Sequence, residues 1–141
     1  MVKYIGVAIA VMLGVTGFNA NAGSGGDFGP AHQYEHTLQT ISLAQGEALL
    51  EQPEVLFFDV NTLELWGEGY IPGATYFNVS NWKELLPENK QTYMVFYCAN
   101  RLCNASEIAA HEVMKLGYSN VMQMHDGIYG WRLSGRAVEM P

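Results

Sequence analysis

Apolar and polar positions divide the chain into three zones. Residues 5–18 are apolar, broken only by Gly and Thr; residues 23–36 carry Gly, Ser, Pro and His with no apolar rhythm; from Thr37 onward short apolar runs alternate with amphipathic ones. The third zone predicts a regular series of elements. Thr40-Ile41 reads as a short extended piece, and Ser42 caps a helix to about Gln52 with Leu43, Leu49 and Leu50 on its apolar side. Val55-Leu56-Phe57-Phe58-Asp59-Val60 is a continuous apolar run with one acid, the pattern of a strand covered on both faces. Residues 62–66 read as helical, and Gly67, Gly69, Pro72 and Gly73 punctuate a turn before the short strand Thr75-Tyr76-Phe77. Residues 82–86 make a short helix that Pro87 helps to end, residues 93–97 the next buried strand, and residues 105–116 a helix closed by Gly117. Residues 120–124 give a last strand and residues 127–133 a terminal helix. Strands alternating with helices predict an α/β domain: a central parallel sheet of about five strands with helices on both faces.

The first zone changes where this domain is expected to work. Lys3, the apolar run and Ala20-Asn21-Ala22 have the three-part pattern of a secretory signal over residues 1–22, with cleavage after Ala22. The run is shorter than the ~20 apolar residues usual for a membrane span. Residues 23–36 then read as a flexible lead-in and residues 37–141 as the domain, in a periplasmic or secreted protein without stable membrane insertion once the signal is removed. The mature chain has 119 residues, enough for one core. It carries 6 Lys and Arg against 14 Asp and Glu, a formal charge of −8, which argues against nucleic acid or anionic lipid as partner.

Candidate chemistry centres on sulfur. Cys98 follows the apolar run Met94-Val95-Phe96-Tyr97, and a polar loop leads to Cys103, Asn104, Ala105 and Ser106. A strand, a tight loop and a helix start place the first thiol where backbone N–H groups converge, a setting that holds an anion such as a thiolate. In open parallel sheets reactive groups lie beyond the carboxyl ends of the strands, as Cys98 does. These are the only two cysteines in the chain. An exported pair is ordinarily a structural disulfide, yet a bridge across so small a loop gives little entropic stabilisation. Cys103 therefore has two readings: a resolving or relay thiol that forms a disulfide with Cys98, or a small apolar side chain packed under the loop. Contact requires the two Cα atoms within ~7 Å.

Other polar residues point to weaker roles. His32 and His36 are spaced i, i+4, but Pro30 and the glycines oppose a helix there, so no metal site is expected. His111 and Glu112 lie midway along a helix, where packing or solvent exposure is the ordinary role. Met122 and Met124 fall on one strand face and read as core. His125, at a strand end, is a candidate for the rim of the site. Trp66, Trp82 and Trp131 read as core or cleft walls.

Several separated motifs carry a family resemblance. Asp59-Val60-Asn61-Thr62-Leu63-Glu64-Leu65-Trp66 followed by Gly69-Tyr70-Ile71-Pro72-Gly73-Ala74 resembles the front motif of the rhodanese family, written D-V-R-x-x-x-E-[FY] and G-H-I-P-G-A. Tyr97-Cys98, Gly117-Tyr118-Ser119-Asn120-Val121 and Asp126-Gly127-Ile128-Tyr129-Gly130-Trp131 resemble its active-site strand, its G-[FY]-x-x-V and its G-G-[IL]-x-x-W. The resemblance spans about residues 37–141. It implies a rhodanese-like sulfurtransferase without cofactor, whose partners are a small sulfur donor and a thiol acceptor, a protein thiol included. Cys98 would be the nucleophile that carries a persulfide. The backbone of Ala99, Asn100, Arg101, Leu102, Cys103 and Asn104 would cradle the anion, and Asp59 would support the surrounding loops. The common loop reads C-R-x-G-x-R-[ST]; here Gly117 lies about two residues farther from the cysteine, the terminal Arg is absent, and Arg101 is the loop's one cation. Asn61 and Tyr70 replace the family's Arg and His. These changes count against thiosulfate as donor, since an anion gains from bidentate Arg. Two other functions remain open: a thiol oxidoreductase using a Cys98/Cys103 disulfide, and a binding module without turnover.

Overall fold

From residue 37 onward the short apolar runs read as extended become strands of one sheet. The computed structural model describes residues 36–141; the leader read at residues 1–22 and the lead-in up to residue 35, with His32, lie outside the described residues. The strands are β1 (Gln39–Thr40), β2 (Leu56–Asp59), β3 (Thr75–Tyr76), β4 (Met94–Tyr97) and β5 (Val121–Gln123). They lie in the order β1-β5-β4-β2-β3, and every pairing is parallel. Between and after them come α1 (Leu43–Leu50), α2 (Leu63–Gly67), a 3-10 turn (Trp82–Leu85), α3 (Ala105–Lys115) and α4 (Gly127–Leu133). Fold class and strand number match the sequence expectation.

Caps fix where the helices begin. Ser42 accepts the Gln45 N–H at 3.2 Å while the Gln45 side chain accepts the Ser42 N–H at 2.8 Å, a reciprocal capping box that starts α1. Thr62 does the same for α2 by accepting the Leu65 N–H.

The period of two in β4 divides the apolar residues between two cores. Val95 and Tyr97 join Phe57, Met122, Met124, Ile128 and Trp131 on the face covered by α1 and α4. Met94 and Phe96 join Phe58, Val121, Ala110 and Val113 on the face covered by α3. All four β4 residues are buried, which is why this strand reads as a continuous apolar run rather than an alternation. Met122 and Met124 fill the same core, as alternate strand positions must. Trp131 is buried there, whereas Trp82 packs against the second core.

Parallel strands put all their carboxyl ends on one edge. Val60-Asn61, Asn78, Cys98 and His125 therefore lie at the same edge, with Cys98 on the central strand between β2 and β5. The ladder continues to that edge through Val60 N–H to Tyr97 O at 2.9 Å and Met124 N–H to Phe96 O at 3.0 Å. Among the described residues no helix is long and apolar enough to cross a membrane.

Candidate active site

The loop after β4 is clamped at its start by α4. The carbonyl of Cys98 accepts the Ile128 N–H at 2.8 Å, and that of Ala99 accepts the Tyr129 N–H at 3.0 Å. Both donors belong to the first turn of α4, whose N–H groups have no partner inside the helix. Gly127 makes the approach close: its φ is +67°, and a Cβ there would sit 2.5 Å from both carbonyl oxygens. Arg101 adds a side-chain tie, its Nε donating to Asp126 just before α4. The guanidinium holds the Asp126 carboxyl below its ordinary pKa. The loop's one cation is thus committed to a carboxylate rather than to the thiol.

Asn100 then turns the chain back. Its side-chain oxygen accepts the Leu102 N–H at 2.9 Å and its carbonyl accepts the Cys103 N–H at 3.1 Å. This Asx-type turn brings the Cα atoms of Cys98 and Cys103 to 6.3 Å, and the two sulfurs are joined in a disulfide. In this bridged state the N–H groups of Leu102 and Cys103 face Asn100, not Cys98. Ala99 and Asn100 are half-buried, Arg101 and Asn104 are exposed, and Leu102 at the tip is 94% exposed. Cys98 is 2% exposed, whereas Cys103 is only half-buried.

The Cys98 sulfur has two polar neighbours. The Cys103 carbonyl oxygen lies 3.3 Å away, and the Ser106 hydroxyl donates to the sulfur at 3.5 Å. Ser106 also accepts from Gln123 Nε2 at 3.0 Å, so a buried chain of side chains ties β5 to the thiol across the start of α3. No side chain caps α3, and Ser106 in its first turn sets the positive end of its dipole beside the sulfur. Once the bridge is reduced, the Ser106 hydroxyl and the helix dipole favour a thiolate at Cys98, and the Cys103 carbonyl oxygen opposes one unless the loop turns it away. Ser106→Ala is expected to strand the buried Gln123 amide and cost about 1–3 kcal/mol. The same change raises the pH at which reduced Cys98 is alkylated; denaturant unfolding and an alkylation–pH profile check the two effects.

Asp59 sits beneath the neighbouring loops. It is fully buried, its Oδ1 accepts the Asn61 N–H at 2.8 Å, and its Oδ2 has no hydrogen-bond partner among the described residues. The Tyr97 hydroxyl accepts the Ile71 N–H at 3.1 Å. Desolvation pushes the Asp59 carboxyl above its ordinary 3.8 and the Tyr97 phenol well up, so Tyr97 stays protonated. Asn61 is buried, and its carbonyl accepts from Asn78. Tyr70 pairs its backbone with Glu139 and stacks its ring on Trp66 at 3.7 Å between centroids.

The remaining candidates lie after β5 and on α3. His125 is about one-third exposed, with Nε2 3.9 Å from Asp126. His111 is buried, and burial lowers its imidazole pKa. Glu112 pairs with Lys115 and borders a groove of about 280 Å³ walled by Val60, Phe77, Val79, Trp82 and Ile108. Among the described residues, Glu112 is the one charged side chain lining that groove. Among the described residues no cluster of His, Cys, Asp and Glu could hold a metal ion.

Three contributors escape a reading by runs and spacing: Ser106, Gln123 and Tyr97. Ser106 had a signal, since the common loop pattern ends in [ST], and the longer loop delivers that hydroxyl to the sulfur. Gln123 interrupts an apolar strand, which marks a buried amide in need of a partner. Nothing in the spacing joins Tyr97 to Asp59.

Known proteins resemble the chain over this same stretch. A family model described as "Rhodanese-like domain" matches residues 42–134. A thiosulfate sulfurtransferase, GlpE, of Tolumonas auensis is 29% identical over 97 residues, covering 65% of this chain and 86% of the relative. Arsenate reductase 2.2 of Oryza sativa subsp. japonica is 30% identical over 114 residues, covering 70% of this chain and 85% of the relative. Among solved structures, the BH2092 protein of Bacillus halodurans superposes with a TM-score of 0.64 at 24% identity, over 72% of this chain and 77% of that one.

Proposed function

The chain belongs to the rhodanese-like domain family, and on that premise we propose that it is a sulfurtransferase whose reduced Cys98 carries sulfane sulfur as a persulfide from a small donor to a thiol acceptor. One observation supports this most: Cys98 ends the central strand with the Ser106 hydroxyl at 3.5 Å and the uncapped start of α3 beside it. The Cys98 thiolate attacks the sulfane sulfur, a new S–S bond forms, and the donor leaves with its bonding pair. The acceptor thiolate then attacks the terminal sulfur, and Cys98 leaves as a thiolate that the same donors stabilise. The leader read at residues 1–22 supports a periplasmic or secreted setting, in which the Cys98–Cys103 bridge persists until a reductant reaches it.

The donor this site favours differs from thiosulfate, the substrate in the name of the Tolumonas relative. Arg101 is paired with Asp126, and the groove beside α3 offers apolar walls and a carboxylate. An organic sulfane donor of low charge, such as a thiosulfonate or an organic persulfide, suits these surroundings better than a small dianion. The same commitment of Arg101 counts against the oxyanion reduction named for the rice relative.

The reading makes activity depend on reduction. Transfer of sulfur from a thiosulfonate to a small thiol is expected to stay at background in the bridged chain. Opening the bridge with a dithiol that is then removed should raise it at least about tenfold, because only the thiolate is nucleophilic. Equal rates before and after reduction would remove Cys98 from the chemistry.

A further inference from the structure

We propose that Cys103 is the resolving thiol of this site, so that the loaded domain discharges its sulfur as hydrosulfide and closes to the Cys98–Cys103 disulfide. The step rests on the persulfide reading above and adds an activity to it: reduction of sulfane sulfur, in competition with its transfer to an external acceptor.

The geometry supplies the reason. The turn that brings the cysteines together is held by the two bonds to Asn100, which involve no sulfur atom. Its first residues are fixed on α4 through the Cys98 and Ala99 carbonyls, and its last leads directly into α3. With both ends anchored, the Cα atoms stand 6.3 Å apart, inside the span a disulfide takes. Attack within such a preorganised loop is unimolecular and outpaces encounter with a dilute thiol.

The bonds balance. The Cys103 thiolate attacks the Cys98 sulfur of the persulfide; the bond between the two cysteine sulfurs forms, and the bond from Cys98 to the sulfane sulfur breaks. The electron pair leaves with that sulfur as hydrosulfide, so the sulfane sulfur is reduced and the two cysteine sulfurs are oxidised to the disulfide. A dithiol reductant resets the site. Burial decides which sulfur it attacks: Cys98 is 2% exposed and Cys103 is half-buried, so the mixed disulfide forms on Cys103 and Cys98 is the leaving thiolate. That leaving group is the sulfur beside Ser106 and α3, where a thiolate is best stabilised. The reductant's second thiol then releases Cys103.

The test uses the full chain, reduced, freed of reductant and loaded with one equivalent of an aryl thiosulfonate. This donor leaves as sulfinate, so any hydrosulfide detected comes from the protein. Wild type is expected to release close to one equivalent of hydrosulfide without added thiol and to end about 2 Da below its reduced mass. Cys103→Ser and Cys103→Ala are expected to keep an adduct of about 32 Da and to release hydrosulfide only when an external thiol is added. Circular dichroism matching that of the reduced wild type reports that both variants fold. An adduct that lasts as long in wild type as in the variants overturns the resolving role alone. An adduct absent from wild type and variants, with no hydrosulfide released, overturns the persulfide reading itself and this step with it.

Discussion

Cys98→Ser is expected to reduce sulfur transfer at least about a thousandfold, to the uncatalysed rate, while leaving the fold in place. The size follows from the nucleophile. A hydroxyl ionises far above neutral pH, and even the dipole of α3 and the Ser106 donor do not populate an alkoxide, whereas a thiol in the same position is brought into range. Serine is close to cysteine in volume, so the buried position at the end of β4 stays filled. Circular dichroism and the unfolding midpoint should match those of the reduced wild type. Turnover of the serine variant within tenfold of wild type would place the chemistry elsewhere.

Asp59→Ala is expected to destabilise the domain markedly. The carboxylate is fully buried and receives the Asn61 N–H. Truncation leaves the buried Asn61 N–H unsatisfied, costing about 1–3 kcal/mol, and opens a small void. Removal of a desolvated charge returns part of that, leaving a net loss of about 1–3 kcal/mol. That is a large fraction of the 5–15 kcal/mol typical of a domain. Asp59→Asn keeps the shape and one acceptor, so it should lose far less. A pH effect separates it from wild type. Because burial raises the folded-state pKa above 3.8, the folded protein holds this proton more tightly than the unfolded chain. Asp59 therefore contributes stability at the acid end, and that contribution falls as pH rises from 3.8 through the raised value. The asparagine variant lacks this component of the slope, and denaturant unfolding across that range measures the difference. If alanine and asparagine behaved alike, the hydrogen bond assigned to Asp59 would not be what holds the region.

How much of this was legible in the sequence depends on the distance over which each cause acts. The strands at residues 56–59 and 94–97 stood out because burial on both faces demands uninterrupted apolar side chains. Ser42 announced its helix because caps act within three residues, whereas Thr62 read as helical and is the cap of α2. The position of Cys98 followed from strand, loop and helix order alone. The contacts that govern its chemistry did not, since they join residues far apart in the chain. Ser106 meets Gln123 only because β5 pairs with β4, and Tyr97 meets Asp59 only because β4 pairs with β2. Arg101 looked like the loop's anion contact, and its tie to Asp126 needs the start of α4 beside the loop. The bridge between Cys98 and Cys103 likewise depends on the turn at Asn100, which spacing does not fix.

The most direct measurement is the mass of the reduced Cys103→Ser chain after exposure to an aryl thiosulfonate, followed by peptide mapping. A single added sulfur of about 32 Da, carried by the Cys98 peptide and removed by a small thiol, is the predicted result. No added sulfur on the Cys98 peptide, in a chain whose Cys98 is shown by alkylation to be a free thiol, would contradict the assignment of sulfur transfer to this site.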